Sequence, residues 1–174
     1  MTDFQTPIEQ ARLGETTDLY QLHSVDETRE LTLRMVYQVS RSLDLLSFDL
    51  EPALYDQPAF LEAFKRLALK SKVARIRILL QDNGLVRTQG HRLLELAQRL
   101  PSTVELRKPD RVFRQFQENF LLVDDCGYLH HRLSGRYQVS ACCNDRLQVS
   151  QYAELFTEAW EAGEPDRELA RLHL

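Results

Sequence analysis

In the stretch Val73-Ala74-Arg75-Ile76-Arg77-Ile78-Leu79-Leu80, apolar residues first alternate with arginines and then run on without interruption. Alternation is the period of a half-exposed strand, and a continuous aliphatic run suits a strand buried on both faces. The stretch is predicted to run from a sheet edge into the core, closed by Asp82, Asn83 and Gly84. Upstream, Phe60, Leu61, Phe64, Leu67 and Ala68 recur at helical spacing. Asp56 and Pro58 mark the entry to this helix, and Lys70 and Lys72 suit its C-terminus. Before it, Leu43, Leu45, Leu46 and Phe48 form a second short apolar run that Pro52 ends. A helix capped by Ser24 or Asp26, with Leu31, Met35, Val36 and Val39 on one face, precedes that run. Downstream, a third helix is predicted from about Arg87 to Pro101, followed by a short strand over 103–107. Helix and strand thus alternate three times, which predicts parallel units with helices on the faces of the sheet.

The C-terminal part changes character. Short strands over 120–123, 128–130 and 137–143 are joined by turn residues at Asp125, Gly127 and Gly135, as in an antiparallel meander. A last helix begins near Asp145, carries Tyr152, Leu155, Phe156, Ala159 and Trp160, and is broken by Gly163 and Pro165. The expected fold class is α/β, a mixed sheet flanked by helices on both faces, parallel in its N-terminal part and antiparallel in its C-terminal part. One domain over 24–163 is expected, between an N-terminal arm over 1–23 and a polar tail over 164–174. A chain of 174 residues with 43% hydrophobic content is enough for one core.

No run approaches the roughly 18 apolar residues of a membrane helix, and the first five residues lack the blocks of a signal peptide. Cys126, Cys142 and Cys143 are odd in number and lack C-x-x-C spacing. These features predict a cytoplasmic protein with reduced thiols. A net charge of −4 argues against a general nucleic-acid binder.

The segment from Phe116 to Trp160 carries a family resemblance. It contains Gln117, Asn119, an apolar strand, Asp124 and Asp125, and closes with a strand and a helix bearing Phe156 and Trp160. This resembles the phospholipase D-like superfamily, in which a strand carries His-x-Lys, four residues and Asp, and the final helix ends in Phe-x-x-x-Trp. The upstream order of elements extends the resemblance over 24–160. It implies a single phospholipase D-like half, and single-half members pair about a two-fold axis, so a homodimer is implied as well.

Aligning on Asp124 places Gln117 at the histidine and Asn119 at the lysine. An amide is neither basic nor nucleophilic near neutrality, and it offers no charge to a phosphoryl transition state. The resemblance therefore implies an inactive domain that serves as a binding or scaffolding module for a phosphate-containing ligand or a protein partner. The alternative is a diverged phosphodiesterase or nuclease in which Asp124 and His130 or His131 act as acid and base. Candidate ligand residues are Gln117, Asn119 and Asp124, the cations Arg107, Arg111 and Arg114 leading into them, His130, and Asn144 at the end of the third strand. A second basic run includes Lys65, Arg66, Arg75 and Arg77, for which a solvated face is the simpler reading. Adjacent His130 and His131 are expected on opposite faces of a strand, and Cys142 and Cys143 likewise, so neither pair makes a metal site. No metal, cofactor or catalytic residue is assigned.

Overall fold

The computed structural model describes residues 5–70 and 72–171. Helix α1 (Val25–Gln38) opens with Ser24, whose side chain accepts the Glu27 N–H, while Glu27 accepts the His23 N–H. The Ser24 bond satisfies a backbone donor that the helix start leaves free, and the Glu27 bond ties the residue before the cap to the first turn. The parallel strands β2 (Ser42–Ser47), β3 (Arg75–Leu80) and β4 (Val104–Lys108) lie side by side. Between β2 and β3 run α2 (Pro52–Tyr55) and α3 (Pro58–Lys70). The helix expected from Arg87 is two helices, α4 (Gly84–Gln89) and α5 (Arg92–Arg99). Gly90, at φ 73°, adopts a conformation that glycine tolerates best, and His91 then caps α5.

Strands β5 (Glu118–Val123), β6 (Gly127–Arg132) and β7 (Val139–Cys142) form the antiparallel meander. Helix α6 (Arg146–Ala162) follows. With β1 (Tyr20–Leu22) and β8 (Glu164–Pro165), the eight strands among the described residues make one sheet in the order β1-β7-β6-β5-β2-β3-β4-β8. This is the expected α/β class with a mixed sheet.

Residues before Ser24, expected as an arm, join the sheet. Strand β1 pairs with β7, Ala11 is fully buried, and Gly14 N–H donates to Cys143 O at 2.8 Å. Their apolar residues are too sparse to show a period, and tertiary contact gathers them. The segment after 163 behaves similarly: β8 pairs with β4, and Leu169 of α7 (Arg167–Ala170) is buried.

The two faces of the sheet are covered unequally. Helices α1 through α5 and α7 place buried residues in the larger core, with Leu43, Leu45, Ile76, Ile78 and Leu121 beneath them. Helix α6 covers the other face with Val149, Phe156, Ala159 and Trp160 over Leu46, Leu79, Phe120 and Leu122.

The expectation that β3 enters from an edge is corrected here, because β3 is interior, between β2 and β4. Arg77 is largely buried. It makes two 2.8 Å hydrogen bonds to the Asp44 carboxylate on β2, and its guanidinium lies 4.9 Å from the Phe156 ring and 5.5 Å from that of Trp160. A fork-to-carboxylate pair lets an alternating charge pattern exist inside a sheet.

Candidate functional site

The site lies where β2 ends. Ser47 Oγ accepts the Leu50 N–H at 2.9 Å, and the Leu50 carbonyl lies 2.8 Å from His91 Nε2. Leu50 is fully buried with φ 56°, a left-handed conformation uncommon for a branched residue, so packing holds the turn. That turn presents Asp49 and Glu51. Because β5 runs antiparallel to β2, its first residues arrive at the same end. Asn119 Oδ1 accepts the Phe48 N–H at 2.8 Å, which leaves its amide nitrogen at the cavity.

Register then adds a histidine. Asn119 pairs with His131 across β5 and β6, and directly opposed residues place their side chains about 5 Å apart on one face. The His131 ring lies 4.6 Å from that of Tyr137. Asp49, Glu51, Gln117, Asn119, His131 and Tyr137 line one cavity of about 480 Å³, with Phe48 and Leu133 as apolar lining. Its volume falls in the range of small-molecule sites. His131 Nδ1 is buried and has no hydrogen-bond partner among the described residues, and Glu51 Oε2 stands 3.9 Å away, too far for a direct bond. Burial, and then the charge of His130, hold the His131 imidazole below its ordinary pKa. Burial, and then Asp49, raise the Glu51 carboxyl above its own. Among the described residues no lysine or arginine lines this cavity.

Asp124 stands at the far end of β5, about 17 Å along the strand from Asn119. Its carboxylate accepts the N–H groups of Ser40, Arg41 and Ser42 at 2.8–3.0 Å, and the Ser40 hydroxyl at 3.1 Å. It ties the β5–β6 turn to the start of β2 and does not share the cavity of Gln117 and Asn119. Within one chain this separation keeps Asp124 away from both His130 and His131.

The remaining candidates disperse. Arg107 donates to the Trp160 carbonyl at 2.9 Å and lies 4.5 Å over its ring, which fastens the C-terminal end of α6 to β4. Arg114 Nε donates to the Pro109 carbonyl, and Arg111 is exposed in the connection before β5. His130 faces α6, bonded to Glu118 at 2.9 Å and stacked on Tyr152. Asn144 lies in the bend before α6, also outside the cavity. As expected, the adjacent histidines diverge, and so do Cys142 and Cys143, which belong to different cores. Among the described residues no group of three His, Cys, Asp or Glu side chains is placed to hold a metal.

Sequence pattern gives no preference to His131, Glu51 or Tyr137. One signal was present: a three-residue connection over 124–126 pairs Val123 with Gly127, and counting back along both strands sets Asn119 against His131. Glu51 and Tyr137 carry no comparable signal, since separate loops bring them in.

A family model described as Domain of unknown function (DUF7931) matches residues 24–172. The chain belongs to that family. No curated protein matches the sequence. Among solved structures, the archaeal chromatin protein TrmBL2, whose structure is described as showing a novel mode of DNA binding, is similar at 17% identity and a TM-score of 0.63. That match covers 95% of this chain and 57% of TrmBL2. Nuc from Salmonella typhimurium, a phospholipase D family member, is similar at 16% identity and TM-score 0.58, over 86% of this chain and 98% of Nuc. Phosphatidylserine synthase from Haemophilus influenzae is similar at 10% identity and TM-score 0.58, over 90% of this chain and 41% of the synthase. This DUF7931 chain therefore has the phospholipase D-like fold. Among its described residues no helix is long and apolar enough to cross a membrane.

Two outcomes follow from this geometry. Asp124→Ala strands three strand-terminal N–H groups and is expected to lower unfolding free energy by about 2–4 kcal/mol. Asp124→Asn, which keeps one carbonyl oxygen, should lose less; urea denaturation measures both. His131 has a depressed folded pKa, so its contribution to stability is complete above the ordinary imidazole value near 6.5. That contribution falls as pH drops through the folded value, because the unfolded chain takes up the proton first. His131→Phe should make the decline of the urea midpoint between about pH 7 and pH 5 shallower. The remaining slope belongs in part to His91, whose pKa burial also lowers.

Proposed function

We propose that this chain is a noncatalytic binding module on a phospholipase D-like fold, and that its cavity takes an uncharged or cationic group rather than a phosphate. The observation that carries this reading is the composition of the cavity wall. Amides occupy the two positions that the resemblance aligns with a histidine and a lysine, and the charged groups present are the carboxylates Asp49 and Glu51. Phosphoryl transfer needs positive charge where negative charge develops, and this wall supplies the opposite sign. Phe48 and Leu133 are each more than a third exposed at the cavity, which suits the docking of a partner surface.

The binding unit is a homodimer in this proposal, on the model of single-half members that pair about a two-fold axis. Light scattering at micromolar concentration should give the mass of two chains, and a monomer would remove this part of the proposal.

A second reading, a diverged phosphodiesterase, draws on one observation: an imidazole with an unpartnered nitrogen stands opposite Asn119. It requires His131 to attack phosphorus in a wall of carboxylates. The purified chain is expected to hydrolyse neither bis(p-nitrophenyl) phosphate nor single-stranded DNA. Turnover that disappears in His131→Ala would establish the enzyme reading and overturn the binding module.

A further inference from the structure

Helix α6 leaves part of its sheet face bare. Its 17 residues extend roughly 25 Å, whereas eight strands span roughly 35–40 Å. From Tyr152, beside Phe120 and His130, α6 runs to Trp160, over Arg77 and Arg107. The β6–β7 side, beyond its first turns, is open. There the structure holds a hollow of about 460 Å³, on the opposite face from the cavity of Asn119 and His131 and sharing none of its lining.

The hollow is rich in donors. Arg132 ends β6 and Arg136 lies in the connection to β7, so a strand end and the following loop of one hairpin each bring a guanidinium to it. Among the described residues neither guanidinium makes an ion pair or a hydrogen bond. The side chains of Ser134 and Tyr152 add hydroxyls that likewise have no protein partner. The neighbouring carboxylates are already engaged: Glu118 holds His130 at 2.9 Å, and Asp145 accepts the Gln148 N–H at 3.0 Å as the cap of α6. Gln138 and Ser140 are occupied with Gln21.

We propose that this hollow is a binding site for a small phosphate monoester. Two unpaired guanidiniums and two hydroxyls match a dianion with three terminal oxygens, for which the planar fork of arginine is well shaped. The volume exceeds what the ion alone needs, so the site accepts an organic group attached to the phosphate. The proposal is independent of the function assigned to the opposite face.

The test is calorimetric titration of the full chain with adenosine 5′-monophosphate, glycerol 3-phosphate, inorganic phosphate, and the parent adenosine and glycerol. Both esters should bind, inorganic phosphate should bind more weakly, and the two parent alcohols should not bind. Arg132→Gln combined with Arg136→Gln should weaken ester binding at least about tenfold. His131→Ala, on the other face, should leave it unchanged. Circular dichroism and an unaltered urea midpoint would show that the double variant is folded. Failure of every phosphate to bind, or undiminished binding by the folded double variant, overturns the proposal. Binding of a single-stranded oligonucleotide but of none of the small phosphates would assign the hollow to nucleic acid instead and overturn it equally.

Discussion

The seam between β2 and β5 is the constraint on which the rest depends. It is the line where parallel strands meet an antiparallel meander, and it is clamped at both ends by side chains of the later segment. Asp124 gathers three backbone N–H groups and a hydroxyl at one end, and Asn119 takes the Phe48 N–H at the other. Both residues bond to backbone about 70–85 positions earlier, so they bring the C-terminal half into register with the N-terminal half. A carboxylate with that many donors is a strong structural tie because ionic hydrogen bonds exceed neutral ones. Asp124 is therefore committed to architecture, while Asn119 divides its amide between the seam and the cavity.

Unequal covering of the sheet separates two electrostatic environments. On the side of α1 through α5, the end of β2 presents Asp49 and Glu51 around a buried imidazole, whose charged form burial disfavours. On the side of α6, a single helix leaves Arg132 and Arg136 of the β6–β7 hairpin unpaired among the described residues, around a second hollow. Neighbouring residues of one strand serve both: His131 points to the first and His130 to the second, because successive side chains alternate.

Arginines at the α6 helix show how charge is absorbed into such a core. Arg77 spans from Asp44 to the Phe156 and Trp160 rings, and Arg107 joins the Trp160 carbonyl to the face of the same indole. The aromatic pair at the end of α6 is thus a landing site for two guanidiniums from β3 and β4. Its spacing in the sequence reports that packing, whatever chemistry occurs elsewhere on the sheet.

By itself the sequence determined the class of fold. The strands around Leu45, Ile78 and Leu121, the helix faces of Leu31, Phe64 and Phe156, and the tight turn at Asp124–Asp125 are written in local periods and turn residues, which depend on neighbours a few positions away. Only the tertiary structure decided which groups share a cavity. His131 meets Glu51 and Tyr137, Asp124 meets Ser40, and residues before Ser24 become a strand, because each meeting is fixed by register and by loop closure between distant segments. A one-residue change of register would send His130, rather than His131, to Asn119. Spacing along the chain records that a histidine is near, and only the pairing of β5 with β6 selects which one.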